Sequence, residues 1–379
     1  MSETGGQGPV DAPRPNRPRG PTRVTDRSLT PSRYVRDVQR RAGGGRDRDA
    51  LVHRAGEMIR KGSKSFHAAS RLFDTETRER AWMLYAWCRQ CDDIVDGQTL
   101  GHDMDGGADT PEKAMDRLEA IRILTARAFA GEPTADLAFD ALGQVASETG
   151  IRPEDAEDVI AGFELDARDW RPRTEKDLMR YCYHVAGAVG VMMARVMGVP
   201  ADDSETLDRA CDLGLAFQLA NIARDLAEDD ANGRCYVPAE WLAAEDIEPG
   251  QLMKPHHRRE VADIAHRLVA MARAHRSAAL AGTNALGFRQ RWAIHAAARI
   301  YGEIAEEVDR RGPAAWDRRV VVSRPRKAGH GFGAFFDALK TSHELPDEMP
   351  RHSRTSILID VRMNGPIPGP PMTPLRDEE

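Results

Sequence analysis

From Ala50 onward, apolar residues recur every three to four positions along most of this chain. That spacing predicts helices over roughly 50–61, 75–97, 111–130, 134–149, 153–166, 174–198, 203–230, 256–282 and 287–311. Turn-forming clusters separate them, such as Gly101-His102-Asp103, Gly131-Glu132-Pro133 and Gly198-Val199-Pro200. No convincing run of alternating apolar and polar residues marks a strand. Long helices in succession without strands imply an all-α bundle.

The two ends read differently. Residues 1–48 are rich in Arg, Pro and Gly, include Gly43-Gly44-Gly45 and lack periodicity, which predicts a disordered extension. The helical domain then occupies residues 49–323. Residues 324–379 carry many Pro, Gly and charged residues and are expected to be largely irregular. Within that tail, Phe332, Phe335, Phe336 and Leu339 share one short helical face, which either caps the bundle core or touches a membrane surface.

Composition narrows the class. The 379 residues are 41% hydrophobic and 30% charged, with a net charge of −6. No run of about 18 apolar residues offers a membrane-spanning helix, and no N-terminal apolar segment resembles a secretory signal. We expect a cytoplasmic protein, loosely membrane-associated at most, with no nucleic-acid partner. Five cysteines, an odd count, suit a reducing compartment. Cys88 and Cys91 form a CxxC, but with no second CxxC and no clustered His they read as small apolar residues on one helix face rather than as redox or zinc chemistry.

Chemistry enters with two acidic patterns about 130 residues apart. The first is Arg89-Gln90-Cys91-Asp92-Asp93-Ile94-Val95-Asp96, and the second runs from Gln218 through Asn221, Arg224 and Asp225 to Asp229. Residues four apart lie on one helix face, so Asp92 and Asp96 point one way, and Asn221, Asp225 and Asp229 another. Carboxylates crowded among apolar residues repel one another unless a cation sits between them. Oxygen donors without His or Cys suit Mg²⁺, with Mn²⁺ as a substitute, and Mg²⁺ held by few carboxylates usually completes its shell with substrate phosphates. Arg89 and Tyr85 share the Asp92/Asp96 face, which makes Arg89 a candidate diphosphate clamp. Arg224 and Arg234 flank the second pattern and are candidates for the same part, a surface ion pair being the alternative for Arg234.

These residues and their neighbours resemble the squalene/phytoene synthase family. Gly62-Ser63-Lys64-Ser65-Phe66 followed by Met83 through Asp96 is similar to its opening blocks, and Tyr181 through Gly190 to its central helix. Gln218 through Asp229 with Gly233-Arg234-Cys235-Tyr236-Val237-Pro238 resembles its second acidic motif and the loop after it. The wording is nearest the bacterial phytoene-forming branch, and the resemblance spans roughly residues 50–323. It implies a single-domain isoprenoid-synthase-type helical bundle around a central cavity, in which two prenyl diphosphates are joined head to head with Mg²⁺. Asp92, Asp96, Asn221, Asp225 and Asp229 would be the metal ligands. Ser65 and Phe66 would contact substrate, Phe66 stabilising a carbocation with its π face or simply filling the core. Tyr181 would steer proton loss, Tyr236 and Gln218 would reach the pocket, and no NADPH would be needed. A farnesyl-diphosphate-using member and a non-catalytic binding member remain the alternatives. Gly187, Gly190 and Gly214 lie inside predicted helices and make room either for a neighbouring helix or for a prenyl chain.

Overall fold

A computed structural model describes residues 40–99, 102–103, 111–248, 250–340 and 344–364. Its helices are α1 (Arg48–Gly62), α2 (Lys64–Ser70), α3 (Thr75–Val95), α4 (Pro111–Phe129), α5 (Leu137–Thr149), α6 (Pro153–Ala167) and α7 (Glu175–Cys182). After a π turn at Tyr183–Gly187 come α8 (Ala188–Val196), α9 (Ser204–Ala231), α10 (Ala239–Ala244), α11 (Arg258–Ala281), α12 (Phe288–Arg311), α13 (Arg324–Leu339) and α14 (Arg354–Asn364). A two-residue antiparallel ladder, β1 (Gln98–Thr99) with β2 (His102–Asp103), is the sole strand pairing among the described residues. The fold is all-α, as the periodicity predicts.

Short polar side chains start the helices. Asp47, Ser63, Asp74, Asp136, Thr174 and Asp203 each accept a hydrogen bond from a backbone N–H in the first turn of α1, α2, α3, α5, α7 and α9. Each satisfies a donor the helix cannot pair itself. The 28-residue α9 runs through the bundle, packed against α8, α11 and α12 and buried around much of its circumference. On another side α3 packs with α1, α4 and α5. A Cβ on Gly190 would stand 2.4 Å from the carbonyl oxygen of Ala210, and one on Gly214 2.3 Å from that of Ala186. These two glycines therefore serve the close approach of α8 and the π turn to α9.

Both ends differ from their expectation. Residues 1–39 lie outside the described residues, but the Gly43-Gly44-Gly45 turn is ordered against the bundle. A Cβ on Gly44 would lie 2.8 Å from the Pro133 backbone. Its φ of 60° is also one that side-chain-bearing residues avoid. Arg46 then reaches the fully buried Asp140 at 2.5 Å. In the tail, α13 and α14 form where composition predicts irregular chain. Tertiary contacts override the three glycines inside α13: Ala334 and Ala338 are fully buried. Trp292 donates to the carbonyl of Gly331 at 2.7 Å, and Phe335 packs edge-on against Phe288 and Trp292. Phe335 thus caps the core, while Phe332, Phe336 and Leu339 remain exposed at 69%, 53% and 54%.

Candidate active site

α3 and α9 present their acidic faces without packing along each other. On α3, Arg89 lies between two carboxylates. It donates to Asp92 at 2.8 Å and to the buried Asp93 at 2.5 Å. Burial raises the carboxyl groups of Asp92 and Asp96 above the ordinary range, and the charge of Asp96 adds to the effect on Asp92. Tyr85, one turn before Arg89, packs on Phe66 of α2 with ring centroids 5.7 Å apart. Its hydroxyl fits because residue 62 is glycine: a Cβ there would be 2.5 Å away. Ser65 lies in the first turn of α2.

On α9, Gln218, Asn221, Arg224, Asp225 and Asp229 are all half-buried. Arg224 donates to both carboxylate oxygens of its neighbour Asp225 along one guanidinium edge, through Nε at 2.7 Å and through Nη2. Arg319, in the segment after α12, adds a second ion pair to Asp225 at 3.0 Å and reaches Glu228 at 3.1 Å. In this state Arg224 is a carboxylate partner rather than a waiting diphosphate clamp. At Asp229, burial, reinforced by the charge of Asp225, pushes the carboxyl up to about 6.

The third part of the site joins Tyr181 of α7 and Tyr236 after α9, both read from the motifs, to Asp166 of α6, which was not. Asp166, near the end of α6, accepts hydrogen bonds from Tyr181 at 3.0 Å and from Tyr236 at 3.1 Å. The two tyrosine rings stack 4.7 Å apart, and Trp170 stacks on the far side of Tyr181 at 5.9 Å. Burial pushes the Asp166 carboxyl up to about 6 despite those hydrogen bonds and the Arg234 charge. It also keeps the Tyr181 hydroxyl protonated, with the Asp166 charge acting in the same sense. A cleft lined by Asp166, Trp170, Arg171, Arg234 and Tyr236 opens here.

Arg234 links the three parts. It follows Gly233, whose φ of 71° reverses the chain after α9. Its charge acts on Asp92 and Asp96 of α3, Asp229 of α9 and Asp166 of α6. One exposed guanidinium is thus within electrostatic reach of all three acidic groups. Such a group suits a polyanion entering between them.

The donors fit a hard divalent cation: they are oxygens, and burial together with neighbouring carboxylates raises their carboxyl groups, a penalty that a bound cation would relieve. Among the described residues, however, no three His, Cys, Asp or Glu side chains converge into a ready ligand cluster. The five predicted ligands are presented from two helices without being gathered. The CxxC pair is inert, since Cys91 is buried and burial pushes the Cys88 thiol up to about 12.

Comparisons with known proteins bear on this arrangement. The family model for squalene/phytoene synthase matches residues 59–326. The 15-cis-phytoene synthase of Pantoea ananas is 43% identical over 304 residues, covering 80% of this chain and 97% of that protein. The phytoene synthase of Pseudescherichia vulneris is 46% identical over 277 residues, covering 73% and 88%. A crystal structure of a dehydrosqualene synthase in complex with ligand superposes with a TM-score of 0.66 at 25% identity, over 76% of this chain and 96% of that one. With the match extending over both acidic helices and the tyrosine pair between them, this chain belongs to the squalene/phytoene synthase family.

Proposed function

We propose that this chain acts as a phytoene synthase. It joins two geranylgeranyl diphosphates head to head through a cyclopropyl diphosphate, with Mg²⁺ as its metal and without NADPH. The observation that carries the reading is the set of acidic faces within electrostatic reach of Arg234, combined with identity above 40% to phytoene synthases over most of the chain. When bound between substrate diphosphate and Asp92, Asp96, Asn221, Asp225 and Asp229, Mg²⁺ would neutralise the leaving group as a Lewis acid.

The side chains supply the rest. Arg234, and Arg89 once released from Asp92, hold the diphosphate oxygens. Loss of diphosphate leaves an allylic cation, which the double bond of the second substrate attacks. The packed rings of Phe66 and Tyr85 are assigned to that cation, and Gln218 to its approach. Proton loss closes the cyclopropane. A second ionisation, rearrangement and proton loss give the linear hydrocarbon. We assign the leaving proton to the Tyr181 hydroxyl, which donates to Asp166 and would pass its own proton to that carboxylate. Tyr236 fixes the other side of Asp166.

The product is a long hydrocarbon that water does not dissolve. Among the described residues no helix is long and apolar enough to cross a membrane. Release is assigned instead to the exposed Phe332, Phe336 and Leu339 on α13, flanked by Arg324, Lys327 and Lys340, resting on an anionic lipid surface. The test of the function is product analysis. Purified protein with geranylgeranyl diphosphate and Mg²⁺, and no NADPH, should release diphosphate and form phytoene, and a chelator should abolish both. Turnover unaffected by chelation, or no hydrocarbon product, would overturn the reading.

A further inference from the structure

The family match ends at residue 326, and α14 lies beyond it. This helix is nevertheless built into the bundle. Ile357 is 2% exposed, and Leu358 and Val361 pack on the same core. α14 rests on α7, on the π turn and on α9. The residue two before it and its own first residue are tied down as well. His352 Nε2 lies 2.9 Å from Glu175 in the first turn of α7, and Arg354 donates to Asp208 of α9 at 3.1 Å.

The surface beneath α14 is the reverse side of the Tyr181 segment. Tyr181 reaches Asp166 near the end of α6. Two residues on, Tyr183 donates to Asp158, and His184 Nδ1 lies 2.8 Å from the carbonyl oxygen of Asp158, two turns earlier on the same helix. The segment is therefore fastened to α6 at two points, and only the first enters the chemistry. α14 supplies charges at the second. Arg354 acts on Tyr183 and on Asp158, Arg362 on Asp158, and Asp360 on Arg180, the residue beside Tyr181. A π turn inserts one extra residue into a helical turn and so changes the rotation of the flanking side chains. It persists where contacts hold it.

We propose that α14 is a positioning element for the active site, in which Arg354, braced on Asp208, locks the π turn from behind and keeps Tyr181 aimed at Asp166. The inference rests on the proposed condensation for its assay substrate. A misplacement of about 1 Å at a reacting group can cost on the order of a hundred-fold in rate. A helix that merely covered apolar surface would change stability alone.

The experiment compares full-length wild type, Arg354→Ala, Arg354→Lys and Asp208→Asn with geranylgeranyl diphosphate and Mg²⁺, well below each unfolding midpoint and with the folded fraction fixed by circular dichroism. Positioning requires that Arg354→Ala lower kcat about ten- to hundred-fold, with KM within about two-fold because the acidic faces are untouched. Arg354→Lys, which keeps a cation beside Asp208, should recover part of that loss. Wild-type kcat per folded molecule in Arg354→Ala, whatever its melting temperature, overturns the proposal, and so does a rise in KM alone. If Arg354→Ala does not fold, Asp208→Asn is read by the same criteria, since it leaves the apolar contacts of α14 in place. A wild type that turns over only another prenyl diphosphate would sink the substrate assignment instead, and the variants would be compared on that substrate.

Discussion

Asp225 and Asp229 stand one turn apart on α9 and should respond to neutralisation in opposite directions. The Asp229 carboxyl is pushed from 3.8 to about 6, first by burial and then by Asp225. At about 1.4 kcal/mol per unit the full shift corresponds to roughly 3 kcal/mol. The side chain is half-exposed, so solvent screening reduces this to about 1–2 kcal/mol. A carboxyl raised in the folded state stabilises the fold below its unfolded value and loses that contribution as pH rises through the folded one. Wild type therefore carries the penalty above about pH 6 and not below about pH 4. Asp229→Asn should stabilise the metal-free protein by about 1–2 kcal/mol at about pH 7.5 and by nearly nothing at about pH 4. Asp225→Asn strips Arg224 and Arg319 of their shared partner and should destabilise by about 1–3 kcal/mol at the same pH. The assay is urea unfolding of chelator-treated protein at both pH values. An Asp229→Asn variant less stable than wild type at the higher pH, or equally stabilised at both, would refute the reasoning. Both variants should lose most activity.

The remaining expectations concern pH, the N-terminal turn and the lipid face. Because Asp166 and Asp229 are pushed up to about 6 and must be ionised to take a proton or bind a cation, kcat/KM should fall as pH drops through about 6. A profile flat down to about pH 5 would contradict that assignment. Deleting residues 1–39 should leave both turnover and unfolding midpoint unchanged. Deleting through Asp47 removes the Arg46–Asp140 pair and the α1 cap and should cost about 2 kcal/mol in urea unfolding; equal midpoints would show that the Gly43–Gly45 turn adds nothing. Replacing Phe332 and Phe336 by Ser should reduce sedimentation with anionic vesicles without changing turnover in detergent, and unchanged sedimentation would move the lipid contact elsewhere.

Much of this architecture was legible in the sequence, and the exceptions have physical causes. Most long helices announced themselves because one face is buried, and α9, buried around much of its circumference, through its sustained apolar content. Predicted spans such as 75–97, 153–166 and 287–311 match α3, α6 and α12 at one end and differ by a residue or two at the other. The seven-residue α2 and six-residue α10 are too short for a periodicity to accumulate. The predicted helix 174–198 is interrupted by the π turn, which leaves no mark in an apolar pattern. The sequence showed a short helical face at Phe332–Leu339 but not the full length of α13, because Gly329, Gly331 and Gly333 lower its intrinsic propensity and the contacts that outvote them, Trp292 and Phe288, lie far away in sequence. At the site, carboxylates at i,i+4 spacing could be read directly. Asp166 could not: it has no carboxylate four residues away, and only the fold brings it to Tyr181 and Tyr236. Arg319 has the same explanation, since it meets Asp225 from a segment that carries no motif.

The central claim is that the acidic faces around Arg234 serve a twenty-carbon substrate whose reaction ends in proton loss. Relative kcat/KM for geranylgeranyl and farnesyl diphosphate, measured with Mg²⁺ and without NADPH, tests it most directly. A clear preference for geranylgeranyl diphosphate with phytoene as the product is the expected result. A preference for farnesyl diphosphate, or a hydrocarbon formed only when NADPH is added, would contradict it.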